Sequence, residues 1–123
     1  MSRIVKNFVA SGAIGHRRQV KMSATDGVVT LATAAADDVI GVTDYPGGVT
    51  DGQRIDVVLF GPAEVEGGGV ITPGDYFAAD ASGKAVAAAP AAGTNNGVGG
   101  RALVNVAAGD FFVAFINPTR IQG

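Results

Sequence analysis

From Ser23 onward the chain alternates short apolar runs with turn residues. Asp26-Gly27 precedes VVTLA (28–32), and Pro46-Gly47-Gly48 with Asp51-Gly52 leads into RIDVVLF (54–60). Gly61-Pro62 interrupts before AEV (63–65), Gly67-Gly68-Gly69 turns into VIT (70–72), and Pro73-Gly74-Asp75 opens YFAAD (76–80). Ser82-Gly83 reads as a hairpin into KAVAAA (84–89), Asn96-Gly97 as another, and Ala108-Gly109-Asp110 opens FFVAFI (111–116) before Asn117-Pro118. Apolar runs with turns recurring about every 8–12 residues predict an all-β chain, a small barrel or sandwich. The Ala-rich stretches 32–36 and 85–92 leave room for at most one short helix, since alanine is the best helix former and Pro90 limits the second.

Two features refine this pattern. Strand alternation over 111–116 sets Phe111, Val113 and Phe115 on one face and Phe112, Ala114 and Ile116 on the other. An apolar strand on both faces is expected in a core or partly in an oligomer interface, with Phe111, Phe112 and Phe115 as the candidates. Residues 27–60 also resemble 83–117 at an offset of about 56–58, each half running strand, Ala-rich stretch, Gly-centred turn, loop and Gly-led apolar strand. Two similar β units fit a barrel with two-fold pseudo-symmetry better than a solenoid, which needs three or more repeats.

Residues 1–22 stand apart. They hold Arg3, Lys6, Arg17, Arg18 and Lys21, and the first acidic residue is Asp26. The segment therefore carries a formal +5, leaving −7 on residues 23–123, the barrel domain with its short C-terminal tail. Gly12 and Gly15 weaken any helix, so residues 1–15 read as an extended arm. Such an arm either joins an edge strand of its own domain or adds a strand to a partner. In the second case Ile4, Val5 and Phe8 are the anchors, and Arg3, Lys6, Arg17 and Arg18 meet acidic groups.

Composition narrows the function. The 123 residues include no cysteine and one histidine, His16, which removes disulfides, thiolate metal sites and cysteine nucleophiles and leaves multi-histidine metal sites without ligands. Net charge is −2 and tryptophan is absent, which argues against nucleic-acid binding. The longest bulky apolar run is too short to span a membrane, and the first residues lack the apolar core of a secretory signal. Charged residues are only 16% of the chain, against roughly 25% in an ordinary soluble domain, while 19 glycines and 21 alanines make up a third of it. A surface so poor in charge is expected to be partly interface.

Candidate chemistry is thin. Gly97-Val98-Gly99-Gly100-Arg101-Ala102 matches a dinucleotide fingerprint in letters but lacks the strand before it and the helix after it. Glu64 and Glu66 share one strand face, yet no histidine or aromatic wall separates their pKa values for acid–base work. Lys84 in SGKAV invites comparison with a carrier lysine but lacks the flanking acidic or methionine residues. Tyr45 and Tyr76 are the obvious exposed aromatics for a glycan-binding or adhesion module. No catalytic constellation, cofactor site or metal site emerges, and the expectation is a binding or structural protein rather than an enzyme.

The segments DDVIGVTD (37–44), DGQRIDVVLFGPAEVEGGGVITPGDYFAADASGKAV (51–86), GVGGRAL (97–103) and AAGDFFVAFINPTRIQG (107–123) together resemble the small head-decoration, or capsid-cement, proteins of tailed bacteriophages. The resemblance runs over residues 27–123 and rests on a chain of individually weak motifs. It implies a β-tulip-like barrel on the outer surface of an expanded capsid, bridging neighbouring copies of the major capsid protein, commonly as a homotrimer. It also implies an N-terminal arm that pairs with capsid strands, here residues 1–15.

Overall fold

The computed structural model describes residues 3–123, and these form nine β-strands without a helix. Five of them close a barrel: β1 (Ile4–Ala10), β2 (Gln19–Met22), β3 (Val28–Leu31), β4 (Val39–Thr43) and the first half of β5 (Arg54–Glu66). The order around the wall is β1-β3-β2-β4-β5, and β1 returns to β5 through a register running from Ile4 opposite Phe60 to Val9 opposite Arg54. Residues 4–10, read from the sequence as an extended arm, are extended and lie between β3 and β5 of their own barrel. β5 pairs along one edge of this segment from Ile4 to Val9, and β3 takes the other edge only at Val9 and Ala10. Met1 and Ser2 lie outside the described residues.

β5 runs on past Gly61-Pro62 into a second sheet, where Gly61–Glu66 pairs with β9 (Phe111–Gln122). The sheet continues through β8 (Asn95–Ala102) and β6 (Tyr76–Ala79) to β7 (Ala85–Ala87). A parallel bridge from Gly67 to Ala85 brings β7 back to the end of β5. With the second half of β5 as first strand, this unit has the same strand order and the same parallel and antiparallel pairings as the first.

The correspondence reaches individual hydrogen bonds. Ile14 and Val49 exchange backbone bonds of 3.0 and 2.9 Å, and 57 positions later Ile71 and Val106 exchange bonds of 3.1 and 3.0 Å. Ala10 N–H donates to Gln53 O as Gly67 N–H donates to Asp110 O, and Gly52 N–H donates to Ala10 O as Gly109 N–H donates to Gly67 O. Gln19 opposite Val42 and Val20 opposite Gly41 match Tyr76 opposite Arg101 and Phe77 opposite Gly100. The sequence repeat is real, with the outcome differing in kind from the expectation: each half builds its own barrel, instead of two halves sharing one.

Small residues recur at matched positions because the backbones leave no room. A Cβ on Gly41 would overlap the Val58 carbonyl oxygen, and one on Gly100 would overlap that of Phe115, the residue matching Val58. Asn96-Gly97, read as a hairpin, instead lies within β8, where Gly97 sits against the Asp37 carbonyl and admits no side chain. The Ala-rich stretches form turns and extended chain.

Each barrel has its own core. Phe8, Ala10, Ile14, Val20, Val29, Val49, Ile55 and Val57 fill the first. Val65, Ile71, Phe77, Ala85, Val106, Phe112, Ala114 and Ile116 are the main members of the second, with Phe77 and Phe112 edge to face at 5.8 Å. Val42 and Val58 sit in first-barrel strands but belong to the second cluster, so that part of the first barrel's outer wall is buried by its neighbour. Gln19 is buried at the same seam. Its side-chain amide donates to the Ala78 carbonyl at 3.0 Å and its backbone N–H to Gly83 O at 2.8 Å, which ties the barrels in a fixed register.

Replacing Gly41 or Gly100 by alanine is expected to cost about 2–3 kcal/mol, since the obstacle is backbone carbonyl rather than a mobile side chain. Gly69→Ala serves as the control, with only Val86 Cγ1 at 3.6 Å from the new methyl, and should stay within about 1 kcal/mol. Urea unfolding of the three variants measures the difference.

Candidate docking surface

The β9 alternation holds as predicted. Phe112, Ala114 and Ile116 point into the second core. Phe111 and Val113 point outward with 55% and 45% of their surface exposed, and Phe115 is half-buried on the same face. Of the three phenylalanines expected at an interface, Phe112 is therefore core, at 3% exposure, and cannot meet a partner. In antiparallel pairs directly opposed residues share a face. Tyr76, Arg101, Phe115 and Pro62 thus form one row across four strands, and Val113 with Glu64 the next. Phe60 packs edge to face on Phe115 at 5.1 Å and lies opposite exposed Ile4, which extends the apolar surface onto the first barrel.

Four of the five basic residues of segment 1–22 meet carboxylates of their own chain. Among the described residues, Arg3 pairs with Asp44, Arg17 with Glu64 at 3.1 Å, Arg18 with Glu66 at 3.0 Å and Lys21 with Asp37 at 3.2 Å. Lys6 lies over the Phe8 ring at 5.8 Å, and Phe8 itself is buried in the first core, while Ile4 and Val5 remain exposed. Arg17 also stacks on Phe111 at 4.6 Å, framing one side of the apolar wall, and Arg101 stacks on Tyr76 at 4.4 Å while donating to its hydroxyl at 2.7 Å.

Arg17 reaches both partners from a backbone φ of 61°, left-handed for a non-glycine residue, where the second repeat has Gly74 at 90°. The matched hydrogen bonds, Arg17 N–H to Thr43 O and Gly74 N–H to Ala102 O, identify the position. Arginine here is strained on the order of 1 kcal/mol, which its cation–π and ionic contacts offset.

A groove of about 340 Å³ lies beside this wall, lined in part by Arg3, His16, Asp44 and Glu64. His16 Nδ1 accepts the Tyr45 backbone N–H at 2.9 Å, which requires that nitrogen to be unprotonated. Burial first, then the neighbouring Arg17 charge, hold the His16 pKa below its ordinary 6.5 against the opposing pull of Asp44 and Glu64. For Glu66, burial alone would raise the pKa. The hydrogen bonds and charges of Lys84 and Arg18 together outweigh burial and keep the carboxyl below its ordinary 4.5.

The other candidate residues lie in ion pairs: Glu64 is held by Arg17, and Glu66 by Arg18 and by Lys84 at 3.2 Å. Among the described residues no group of three or more His, Asp or Glu is placed to hold a metal, and no helix is long and apolar enough to cross a membrane. Sequence reasoning named Phe111, Phe115 and Arg17 but missed Arg101, Pro62 and Phe60. Aligning the two repeats places Arg101 at the position of Val42 and Pro62 at that of Val5, whereas Phe60 is found only through its packing on Phe115.

No protein-family model matches the chain, and no curated protein matches it by sequence. Among solved structures it is similar to the N base of the head fiber gp8.5 of bacteriophage phi29, at 19% identity and a TM-score of 0.64, covering 99% of this chain and 100% of that one. The likeness extends over both barrels and establishes a shared fold.

Two predictions test the surface. Phe112→Ala should cost about 3–5 kcal/mol by opening a cavity, whereas Phe111→Ala should stay within about 1 kcal/mol of wild type in the same unfolding experiment. Stability should also fall on acidification in two windows. His16 and Glu66 both have lowered folded pKa values, so the unfolded chain binds the additional proton. The His16 contribution is complete above 6.5 and declines as pH falls toward its lowered folded value. The Glu66 contribution is complete above 4.5 and is lost as pH falls through its own. Against burial, hydrogen bonds from Thr33, Lys21 and Ala34 and the Lys21 charge hold Asp37 below its ordinary 3.8, which adds to the second window. Melting temperatures from pH 8 to 3 should show both steps, with His16→Asn removing the first and Glu66→Gln reducing the second.

Proposed function

We propose that this chain is a structural protein of a tailed-phage virion that binds the outer surface of the head, where it contacts neighbouring copies of the major capsid protein and stabilises the expanded shell as a homo-oligomer, with three copies the favoured number. The full-length fold match to a phage head-fiber base carries this reading. The motif resemblance to head-decoration proteins over residues 27–123 and an exposed apolar wall on the second barrel support it.

The mechanism is linkage. A protein that binds the expanded lattice better than its alternatives shifts the shell toward that lattice by its differential affinity, and contacts to several subunits at once act as one multivalent attachment. β1 pairs with β5 along its length, and in this reading attachment uses the surface around it. Exposed Ile4 and Val5 contribute as side chains on that surface, and Arg3, Arg17 and Arg18 act through the junction they hold together.

The test is co-sedimentation of the purified chain with expanded heads of its own phage, followed by heating and osmotic shock. Saturable binding, and heads that survive to higher temperature with the protein than without it, are expected. Absence of binding, or equal survival, would overturn the reading.

A further inference from the structure

The repeat supplies an internal control for one face of the second barrel. Tyr76, Arg101 and Phe115 stand where the first barrel has Gln19, Val42 and Val58. Those three first-barrel residues have no exposed surface, because they lie at the seam with the second barrel. On the second barrel the same face is hollow. A groove of about 420 Å³ lies there, with Tyr76, Arg101, Phe115, Asn117 and Thr119 in its lining, a volume within the roughly 300–1,000 Å³ usual for small-ligand sites. β9 shapes it with a bulge: pairing passes from Val98 opposite Thr119 to Gly100 opposite Ile116, so Asn117 and Pro118 stand against Gly99 alone. Bulges re-aim side chains out of the ladder, and this one lies along the groove.

The chemistry of the lining says what the groove can hold. Six of the nine basic side chains pair with carboxylates among the described residues, and Arg101, which is exposed, is not one of them. Its guanidinium is nonetheless held in place, stacked on Tyr76 at 4.4 Å and donating to the Tyr76 hydroxyl at 2.7 Å. A positioned guanidinium without an acidic partner presents a planar fork of donors that fits a carboxylate. A further barrel seated as at the seam would bury that charge unpaired, so the groove is not a second seam. The other polar groups narrow the ligand. The Tyr76 and Thr119 hydroxyls and the Asn117 amide can each donate and accept, as sugar hydroxyls do, whereas a bare carboxylate only accepts. Half-buried Phe115 adds an apolar surface for the C–H face of a sugar ring. The groove beside His16 lacks this character, since its Arg3 and Arg17 are already paired with Asp44 and Glu64. We propose that the groove between Tyr76, Arg101 and the β9 bulge binds an acidic sugar, with its carboxylate on Arg101 and its hydroxyls on Tyr76, Asn117 and Thr119. This site goes beyond the virion reading and is tested without heads, so either can fail alone.

Titration of the full chain with sodium glucuronate, followed by proton–nitrogen NMR of the backbone amides and the Arg101 Nε–H, tests the site. Concentrations up to about 50 mM cover millimolar affinity. Saturable shifts are expected at Tyr76, Arg101 and residues 115–119, with glucose, acetate and inorganic phosphate each binding on the order of 10-fold more weakly. Arg101→Gln should weaken glucuronate binding by about 10-fold or more, and Arg101→Lys, which keeps the charge without the fork, should lose most of the same. Asn117→Ala, which leaves the Arg101–Tyr76 stack intact, should weaken it by about 3- to 10-fold. Lys6→Gln removes a charge of the same sign from the first barrel and should leave binding unchanged. Unaltered spectra away from the groove and a retained urea midpoint certify the fold of each variant. Absence of saturable shifts, or binding that survives both Arg101→Gln and Asn117→Ala, would overturn the proposal. So would acetate or phosphate binding as tightly as glucuronate, because a bare anion would then suffice, or glucose doing so, because the arginine would then have no part.

Discussion

One strand serves two barrels, and the rest of the molecule follows from that. β5 contributes Ile55 and Val57 to the first core and Ala63 and Val65 to the second. A strand cannot leave one closed sheet and enter another without changing neighbours. That change falls at Gly61-Pro62, where β1 and β4 give way to β9. Since β5 cannot slide in either barrel without turning its apolar side chains outward, its register in one fixes its register in the other. Val58, adjacent to inward-facing Val57, is the residue that this geometry presses between the two units.

The ion pairs at the junction fit the same constraint. Arg17 and Arg18 lie between β1 and β2 of the first barrel, while Glu64 and Glu66 lie on the second half of β5. The pairs therefore cross from one barrel to the other. Individually such partly exposed pairs contribute little. Clustered around a buried glutamine and backbone bonds to residues 82–84, they select one relative orientation of two otherwise independent cores.

Much of the fold was legible in the chain. Turn chemistry and short apolar runs located most strands, and the repeat was visible near its true spacing. Its matches were mostly glycine and alanine because the duplicated feature is close backbone approach, at Gly41 and Gly100 above all, and such positions admit little else. For the same reason an Asn-Gly pair sits inside a strand, where contact with Asp37 rather than turn geometry decides its place. The charge separation between residues 1–22 and the remainder was read correctly as polarity. Its destination was not visible, because Arg3 and Asp44, or Arg18 and Glu66, are far apart in sequence and meet only through closure of the barrels. Alternation separated Phe111 from Phe112, but only the three-dimensional cover over each could say which was core. The docking wall was legible in part, as a strand apolar on both faces. Its extension to Arg101 and Pro62 depended on strand order, which the linear pattern does not encode.

Continuity of β5 has a further consequence. Two barrels on separate chains would meet at a rate and occupancy set by their concentration, and dilution would part them. Joined through a single strand with no intervening linker, they experience an effective molarity set by covalent geometry alone. The seam at Val42 and Val58 is therefore indifferent to how many molecules surround it. Whatever contacts the protein makes beyond itself are subject to dilution, whereas the contact between its own two barrels is present in every single chain.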